Sequence, residues 1–124
     1  MIYMNMGPYP VEVALCLTDT DWRHSLGKQE FVSFVPKTMP KAEACVTRFV
    51  TDADCHLLVV TFRREFKRRD VWERAALVAH EATHVWQYIC EHIGEPNPGD
   101  EVEACSIQWI AHWMFDQLAK AKYL

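Results

Sequence analysis

Residues 70–94 read DVWERAALVAHEATHVWQYICEHIG, and this pattern predicts one long amphipathic helix. Asp70 and Glu73 have the spacing of a capping box, and Gly94 is typical of a helix stop. Between them, apolar residues recur at intervals of three and four, which gathers them on one face. This apolar stripe consists of Val71, Ala75, Val78, Ala82, Val85, Ile89 and Ile93. We expect the helix to run to about Ile93 and to pack on a sheet through the stripe.

Two histidines lie four positions apart on nearly the opposite face of this helix. His80 and His84 are separated by about 40° around the axis and about 6 Å along it, so both imidazoles can bind one metal ion. Glu81 lies one step around from them, where a carboxylate can accept a proton from a water molecule held by that metal. The pattern His-Glu-x-x-His therefore predicts a metal clamp with a general base beside it.

A third ligand is needed, because a catalytic zinc site uses three protein ligands and leaves the fourth position to water. The candidates are Glu101 and Glu103, near the start of the next predicted helix. They lie about 200° apart around that helix, so only one of them can face the histidines. Glu103 shares its side of the helix with apolar residues such as Ile107, and the small Ala104 would let the two helices approach closely. We therefore assign Glu103 as the third ligand.

Glu103 also has a purely structural interpretation. If Asp100 is the N-cap of the second helix, Glu103 is its N3 partner in a capping box and needs no metal. Against this, Asn97 can serve as an earlier N-cap with Pro98 at the first helical position, which moves Glu103 into the following turn. Both interpretations remain open at the level of sequence.

The rest of the chain predicts an α+β fold with a small, mostly antiparallel sheet of three or four strands. Alternating apolar residues predict a strand over 11–17, and a short apolar run predicts another over 31–35. Residues 45–50 and 56–62 flank an acidic turn at 51–54 and predict an antiparallel hairpin. The second hairpin strand is apolar on both faces, which is typical of a central strand.

The connecting segments are less regular. The polar residues 18–30 predict a loop, with a short helical turn around Trp22 as the alternative. The cationic run 63–69 is expected to be an exposed connector. A second helix should follow the turn at 95–100 and pack antiparallel to the histidine helix. Its expected apolar side consists of Ala104, Ile107, Ala111, Met114, Phe115 and Leu118.

Composition places these elements in one domain, residues 1–124, whose 50% hydrophobic content suffices for a single core. The net charge of −4 gives no reason to expect nucleic acid or an anionic membrane as a partner. No apolar run is long enough to span a membrane. The odd number of cysteines, without a Cys-x-x-Cys pair, argues against a disulfide framework and a thiolate zinc site. We expect a cytoplasmic protein.

The combination of His80, Glu81, His84 and Glu103 resembles the gluzincins, the thermolysin-type branch of the zincin metallopeptidases. The resemblance covers about residues 70 to 115 and extends, more loosely, to small metallopeptidases encoded by tailed bacteriophages. It implies that His80, His84 and Glu103 bind zinc (Zn2+) and that Glu81 is the catalytic base. It also implies a minimal zincin-like fold, in which the sheet packs on the histidine helix and the second helix follows.

This chain departs from the longer family signature at one position. The family has an aspartate four residues after the ligand glutamate, where this chain has Ile107, so the usual partner of a ligand histidine is missing or supplied elsewhere. The metzincin branch does not fit, because its glycine and third histidine would fall on Gln87 and Cys90. No residue marks itself out as the oxyanion-stabilising group: Tyr88, His112 and Tyr123 are each interpreted as packing or surface residues.

Two functional hypotheses follow. The first is a zinc-dependent metallopeptidase that hydrolyses peptide or protein substrates through a metal-activated water, with a protein partner as one possible source of specificity. The second is a non-catalytic, zinc-stabilised assembly or interaction domain, for example in phage morphogenesis, with a vestigial site. The first is favoured because Glu81 is not a ligand, and a purely structural zinc site has no use for it.

Overall fold

A computed structural model of the chain describes residues 2–6, 9–27, 31, 34–51 and 54–124. The chain forms two compact units, Met1–Glu65 and Phe66–Leu124. The first unit contains all the strands and one short helix, and the second contains two long helices. No helix in the described ranges combines the length and the apolar character needed to cross a membrane.

The first unit is built on a four-stranded sheet with the strand order β1-β2-β4-β3. Its strands are β1 (Ile2–Asn5), β2 (Val11–Cys16), β3 (Ala44–Val50) and β4 (His56–Phe62). Strands β1 and β2 pair antiparallel, as do β3 and β4, whereas β2 and β4 pair parallel. The mostly antiparallel sheet and the α+β class are therefore confirmed, and so is the central place of residues 56–62.

The predicted hairpin is confirmed, with Ala44 opposite Phe62 and Val50 opposite His56. At the turn, the Thr51 amide donates to the Cys55 carbonyl at 2.9 Å. Asp54 adopts a left-handed φ of 58°, which aspartate tolerates better than most residues. The turn residues 52 and 53 lie outside the described part of the chain.

The loop predicted over residues 18–30 is wrong where the structure describes it. Helix α1 (Asp19–Leu26) begins after Thr18, whose hydroxyl accepts a hydrogen bond from the Asp21 amide at 3.0 Å. Trp22 and Leu26 lie one turn apart and are both buried in the core cluster of this unit. The Trp22 indole also donates to the Pro36 carbonyl at 2.7 Å. Two buried side chains and a cap make this helix, although the segment is mostly polar.

The strand predicted over residues 31–35 is not found in its described part. Phe31 makes an isolated antiparallel bridge to Thr51, Phe34 is 85% exposed, and residues 32 and 33 lie outside the described ranges. Phe31 and Val35 instead pack their side chains against the core cluster. The apolar character of this run thus serves side-chain burial instead of strand pairing.

In the second unit, the histidine helix α2 (Val71–Ile93) begins and ends where the sequence predicts. The Asp70 carboxylate accepts from the Trp72 and Glu73 amides, each at 2.9 Å. Gly94 closes the helix with a left-handed φ of 70°. The middle of the apolar stripe is completely buried: Val78, Ala82, Val85 and Ile89.

Helix α3 (Asp100–Lys120) follows, with Gly99 as its N-cap. The proposed Asn97 cap and the Asp100 cap are therefore both wrong, because the chain is still extended at Gly99 (φ −60°, ψ 143°) and Asp100 is the first helical residue. Glu103 is left outside any capping box. The buried side of α3 differs in part from the prediction: Met114 and Leu118 are buried as expected, but Ala104 is exposed and Ile110 is the third buried residue.

The two long helices are antiparallel neighbours, as predicted. The Arg74 guanidinium, near the start of α2, donates to the Tyr123 carbonyl just beyond the end of α3 at 2.8 Å. At the other end of the pair, the Trp86 indole contacts Glu103 in the first turn of α3. These contacts fix which residues of α3 can approach the histidine helix.

Candidate metal centre

The two histidines of α2 present their Nε2 atoms to each other. The Nε2 atoms of His80 and His84 are 3.0 Å apart, and the ring planes make an angle of 81°. Two ligand nitrogens of a tetrahedral zinc site, each at about 2.0 to 2.1 Å from the metal, are about 3.3 Å apart. The pair would therefore bind zinc after opening by a few tenths of an ångström and giving up the proton that lies between the two Nε2 atoms.

The side chain of Gln87 contacts His84 at the ring nitrogen that faces away from His80. The Nδ1 atom of His84 is 2.9 Å from the Gln87 side-chain oxygen. An amide oxygen only accepts, so Nδ1 carries the proton and Nε2 keeps its lone pair. This tautomer is the one that binds a metal through Nε2, and ligand histidines usually have such a partner. Gln87 is therefore placed to orient the His84 ring, as the partner of a ligand histidine does.

Glu81 is nearly buried beside the histidines, with 5% of its surface exposed. Burial raises the pKa of its carboxyl, and the neighbouring His80 and His84 rings partly oppose this shift. A carboxylate that has lost its hydration binds a proton more tightly than an exposed one. Its environment therefore suits the exchange of a proton with a reacting group.

Glu103 faces α2, but its contact there is with the tryptophan. Its Oε2 atom accepts a hydrogen bond from the Trp86 indole at 3.3 Å. Glu101, the other candidate, accepts from the Cys105 thiol of its own helix at 3.7 Å. In the described ranges, which include all the candidate ligands, no three His, Cys, Asp or Glu side chains are grouped so that they could hold a metal ion. The structure thus brings His80, Glu81 and His84 together, whereas Glu103 is hydrogen-bonded to Trp86.

A cavity of about 460 Å³ lies beside this site, within the second unit. It runs between the C-terminal half of α2 and the start of α3, and Gln87 is part of its wall. Glu95 and Glu103 also line it, and their negative charges act together with burial, the larger cause, to raise the pKa of the Cys90 thiol. The cavity therefore has a negative potential and is next to a residue that holds a candidate ligand.

The remaining sequence candidates have structural surroundings. Tyr123 is buried, its carbonyl binds Arg74, and the Lys67 amino group lies 5.2 Å from the centre of its ring. His112 is exposed on α3. All five cysteines lie in the described ranges and none forms a disulfide.

The residue that sequence reasoning missed is Gln87. Its signal was its position three residues after His84, a spacing at which helical side chains are neighbours. A single helix therefore carries the histidine pair, the carboxylate and the partner of one histidine. No protein-family model matches this chain, and neither a curated protein nor a solved structure shows significant similarity to it.

Proposed function

We propose that the protein is a zinc-dependent metallopeptidase in which Glu81 is the general base. The observation that supports this most strongly is the convergence of the His80 and His84 Nε2 atoms, 3.0 Å apart. Glu81 lies beside this pair on the same helix and is almost inaccessible to solvent. Two nitrogen donors and an adjacent carboxylate that can act as the base are two parts of a catalytic zinc site, which also needs a third ligand.

His80 and His84 would hold the ion, and Glu103 is the proposed third ligand. The hydrogen bond between Glu103 and the neutral Trp86 indole is long, at 3.3 Å, so a divalent cation would compete for the carboxylate effectively. When bound, zinc would lower the pKa of a water molecule and polarise the peptide carbonyl. Zinc retention by Glu103→Ala and Glu101→Ala tests the ligand: we expect loss only in Glu103→Ala, and unchanged zinc in that variant contradicts the assignment.

Glu81 would move the proton. Its buried carboxylate is adjacent to the histidine pair and is the residue best suited to accept a proton from the attacking water. The same carboxylic acid can then give the proton to the leaving amine. Gln87 would keep the His84 ring in orientation throughout, because it binds the nitrogen that faces away from the site.

The substrate would be a peptide or protein inside the cell. We infer a cytoplasmic setting because none of the five cysteines forms a disulfide, as is usual in a reducing compartment. A non-catalytic assembly or interaction domain with a vestigial site is the competing function, and the contact of Glu103 with Trp86 favours it, because it leaves the ligand set of a catalytic zinc incomplete.

Glu81→Gln separates the two functions. We expect the wild type and the variant to bind zinc equally and only the wild type to cleave a casein or peptide substrate, because the amide cannot accept a proton. Glu101→Gln is the matched control, since its carboxylate is exposed and is not part of the proposed machinery. If both proteins bind zinc and neither cleaves any substrate, the metallopeptidase proposal fails.

A further inference from the structure

The hydrogen bond between Trp86 and Glu103 occupies the carboxylate that is proposed as the third metal ligand. Trp86 is only 2% exposed, and its indole N–H donates to Glu103 Oε2 at 3.3 Å. Among the His, Cys, Asp and Glu side chains that the structure describes, no three are grouped so that they could hold a metal ion. In this arrangement Glu103 therefore binds the tryptophan and does not complete the histidine pair.

The two alternative partners of Glu103 lie on different sides of α2. Trp86 follows His84 by two residues, which corresponds to about 200° around a helix. A carboxylate that is bound to the indole therefore has to move before it can join His80 and His84 at one ion. Binding to the tryptophan and binding to the metal exclude each other.

The cavity between α2 and α3 has space for this movement. Trp86, Gln87 and Glu103 all line it, and its volume is about 460 Å³. Gln87 is adjacent to the histidine pair, because its side-chain oxygen is 2.9 Å from His84 Nδ1. The cavity thus extends from the indole toward the metal centre. It is also large enough for a water molecule to replace the carboxylate at the indole.

We propose that Trp86 regulates the metal centre by competing with the metal ion for Glu103. The indole would lower the affinity of the site for zinc, and zinc binding would break a contact between α2 and α3. A hydrogen bond to a carboxylate is stronger than one between neutral groups, but this one is long, so the competition should change the affinity by a modest factor. The inference rests on the proposed function, from which it takes Glu103 as the third ligand.

Zinc affinity, measured by competition with a chelator, tests the role of the indole. Trp86→Phe keeps an aromatic ring but removes the donor, and should bind zinc about fivefold more tightly than the wild type. Trp72→Phe is the matched control, because it makes the same change on the same helix at a side chain that is 79% exposed, and it should leave the affinity unchanged. In a Glu103→Ala background, Trp86→Phe should bring no gain, because no carboxylate is released. Thermal melting checks that each variant is folded.

The indole N–H resonance of Trp86 reports the same exchange without a change at the tryptophan. In the metal-free protein, we expect Glu103→Ala to shift this resonance, because it removes the acceptor. Saturating zinc should shift the same resonance in the wild type, since the indole again loses its carboxylate partner. This measurement decides the matter if Trp86→Phe does not fold.

The competition is refuted if folded Trp86→Phe binds zinc no more tightly than the wild type, or if saturating zinc leaves the Trp86 resonance unchanged. Either result leaves the proposed function standing when the wild type hydrolyses peptides. A protein in which zinc displaces the indole, but which hydrolyses no peptide, refutes the proposed function and leaves the competition standing. A wild type that binds no zinc refutes both.

Discussion

Gln87 orients one of the two candidate metal ligands through a hydrogen bond to His84 on the same helix. Its side-chain oxygen lies 2.9 Å from His84 Nδ1 and so directs the lone pair of Nε2 toward His80. A ligand that is already in the right tautomer and orientation does not have to be reorganised when the metal binds. The affinity of the site for zinc should therefore depend on a residue that never touches the metal.

We expect Gln87→Ala to weaken zinc binding by about 10- to 100-fold, the usual cost of losing such a partner. Competition with a chelator measures this loss. Gln87→Glu keeps an acceptor at the same position and should retain most of the affinity. In the metal-free protein, nitrogen-15 NMR of His84 should show the Nδ1–H tautomer in the wild type and a mixture in Gln87→Ala. Equal affinities in all three proteins would show that Gln87 has no positioning role.

In the first unit, burial of Cys16 raises the pKa of its thiol to about 11. In the unfolded chain this thiol has a pKa of about 8.5, so above that pH the unfolded state ionises first. The thiol's contribution to stability is therefore complete below about pH 8.5 and is lost as the pH rises through 11. The loss should be about 3.5 kcal/mol, because the two pKa values differ by about 2.5 and each unit corresponds to about 1.4 kcal/mol.

Urea unfolding of the wild type and Cys16→Ala at pH 8 and at pH 10.5 tests this dependence. The free energy of unfolding should decrease more in the wild type than in Cys16→Ala, because only the wild type contains the buried thiol. Other groups that titrate in this range are common to both proteins and cancel in the comparison. The same decrease in both proteins would mean that the thiol is not protected from ionisation.

At the scale of elements, α2 has two functions on two faces. Its apolar stripe is buried, while the face with the histidines is accessible to solvent. The stripe is not uniform, because Ile89 is completely buried whereas Ile93, at the end of the helix, is 38% exposed. Burial in the middle of the stripe should therefore contribute most of the stability that holds the histidines in place.

Truncation of these two isoleucines gives a matched comparison on one helix. Ile89→Ala should lower the free energy of unfolding by about 2 to 5 kcal/mol, because it leaves a cavity in a packed site. Ile93→Ala removes the same atoms from a partly exposed position and should cost much less. Urea denaturation measures both, and equal losses would contradict the burial pattern.

The sequence could predict those helices and strands whose first and last residues are determined by neighbouring residues in the chain. Helix α2 was predicted to the residue, because Asp70 and Gly94 act on the amides and carbonyls next to them. Helix α1 was only the alternative to a predicted loop, as a short helical turn around Trp22, because its formation depends on the burial of Trp22 and Leu26 among residues distant in sequence. Strand β1 was missed for a related reason: its four residues carry little pattern, and its pairing with β2 determines it.

In the candidate site, too, contacts within one helix could be predicted from the sequence, whereas the contact between two helices could not. His80, Glu81, His84 and Gln87 are related by helical spacing alone, so their proximity follows from the formation of α2. Glu103 belongs to another helix, and its exact approach depends on how α2 and α3 pack. Helical periodicity predicted that Glu103 faces α2, but it contained no information on the competing Trp86 indole.

At the scale of the whole molecule, every candidate group belongs to one of the two compact units. The histidine pair, Glu81, Gln87, Glu103 and the acidic cavity all lie in Phe66–Leu124. The proposed zinc site would therefore lie entirely within the helical unit.

The proposed function requires that the histidine pair binds one catalytic metal ion. Peptide hydrolysis, measured while zinc is titrated into metal-free protein, tests this requirement. We expect no hydrolysis without zinc, a linear increase with added zinc, and saturation at one ion per chain. His84→Ala should remain inactive at the same zinc concentrations. Hydrolysis that persists in the presence of a chelator, or a fully zinc-loaded protein that hydrolyses no peptide, would contradict the claim.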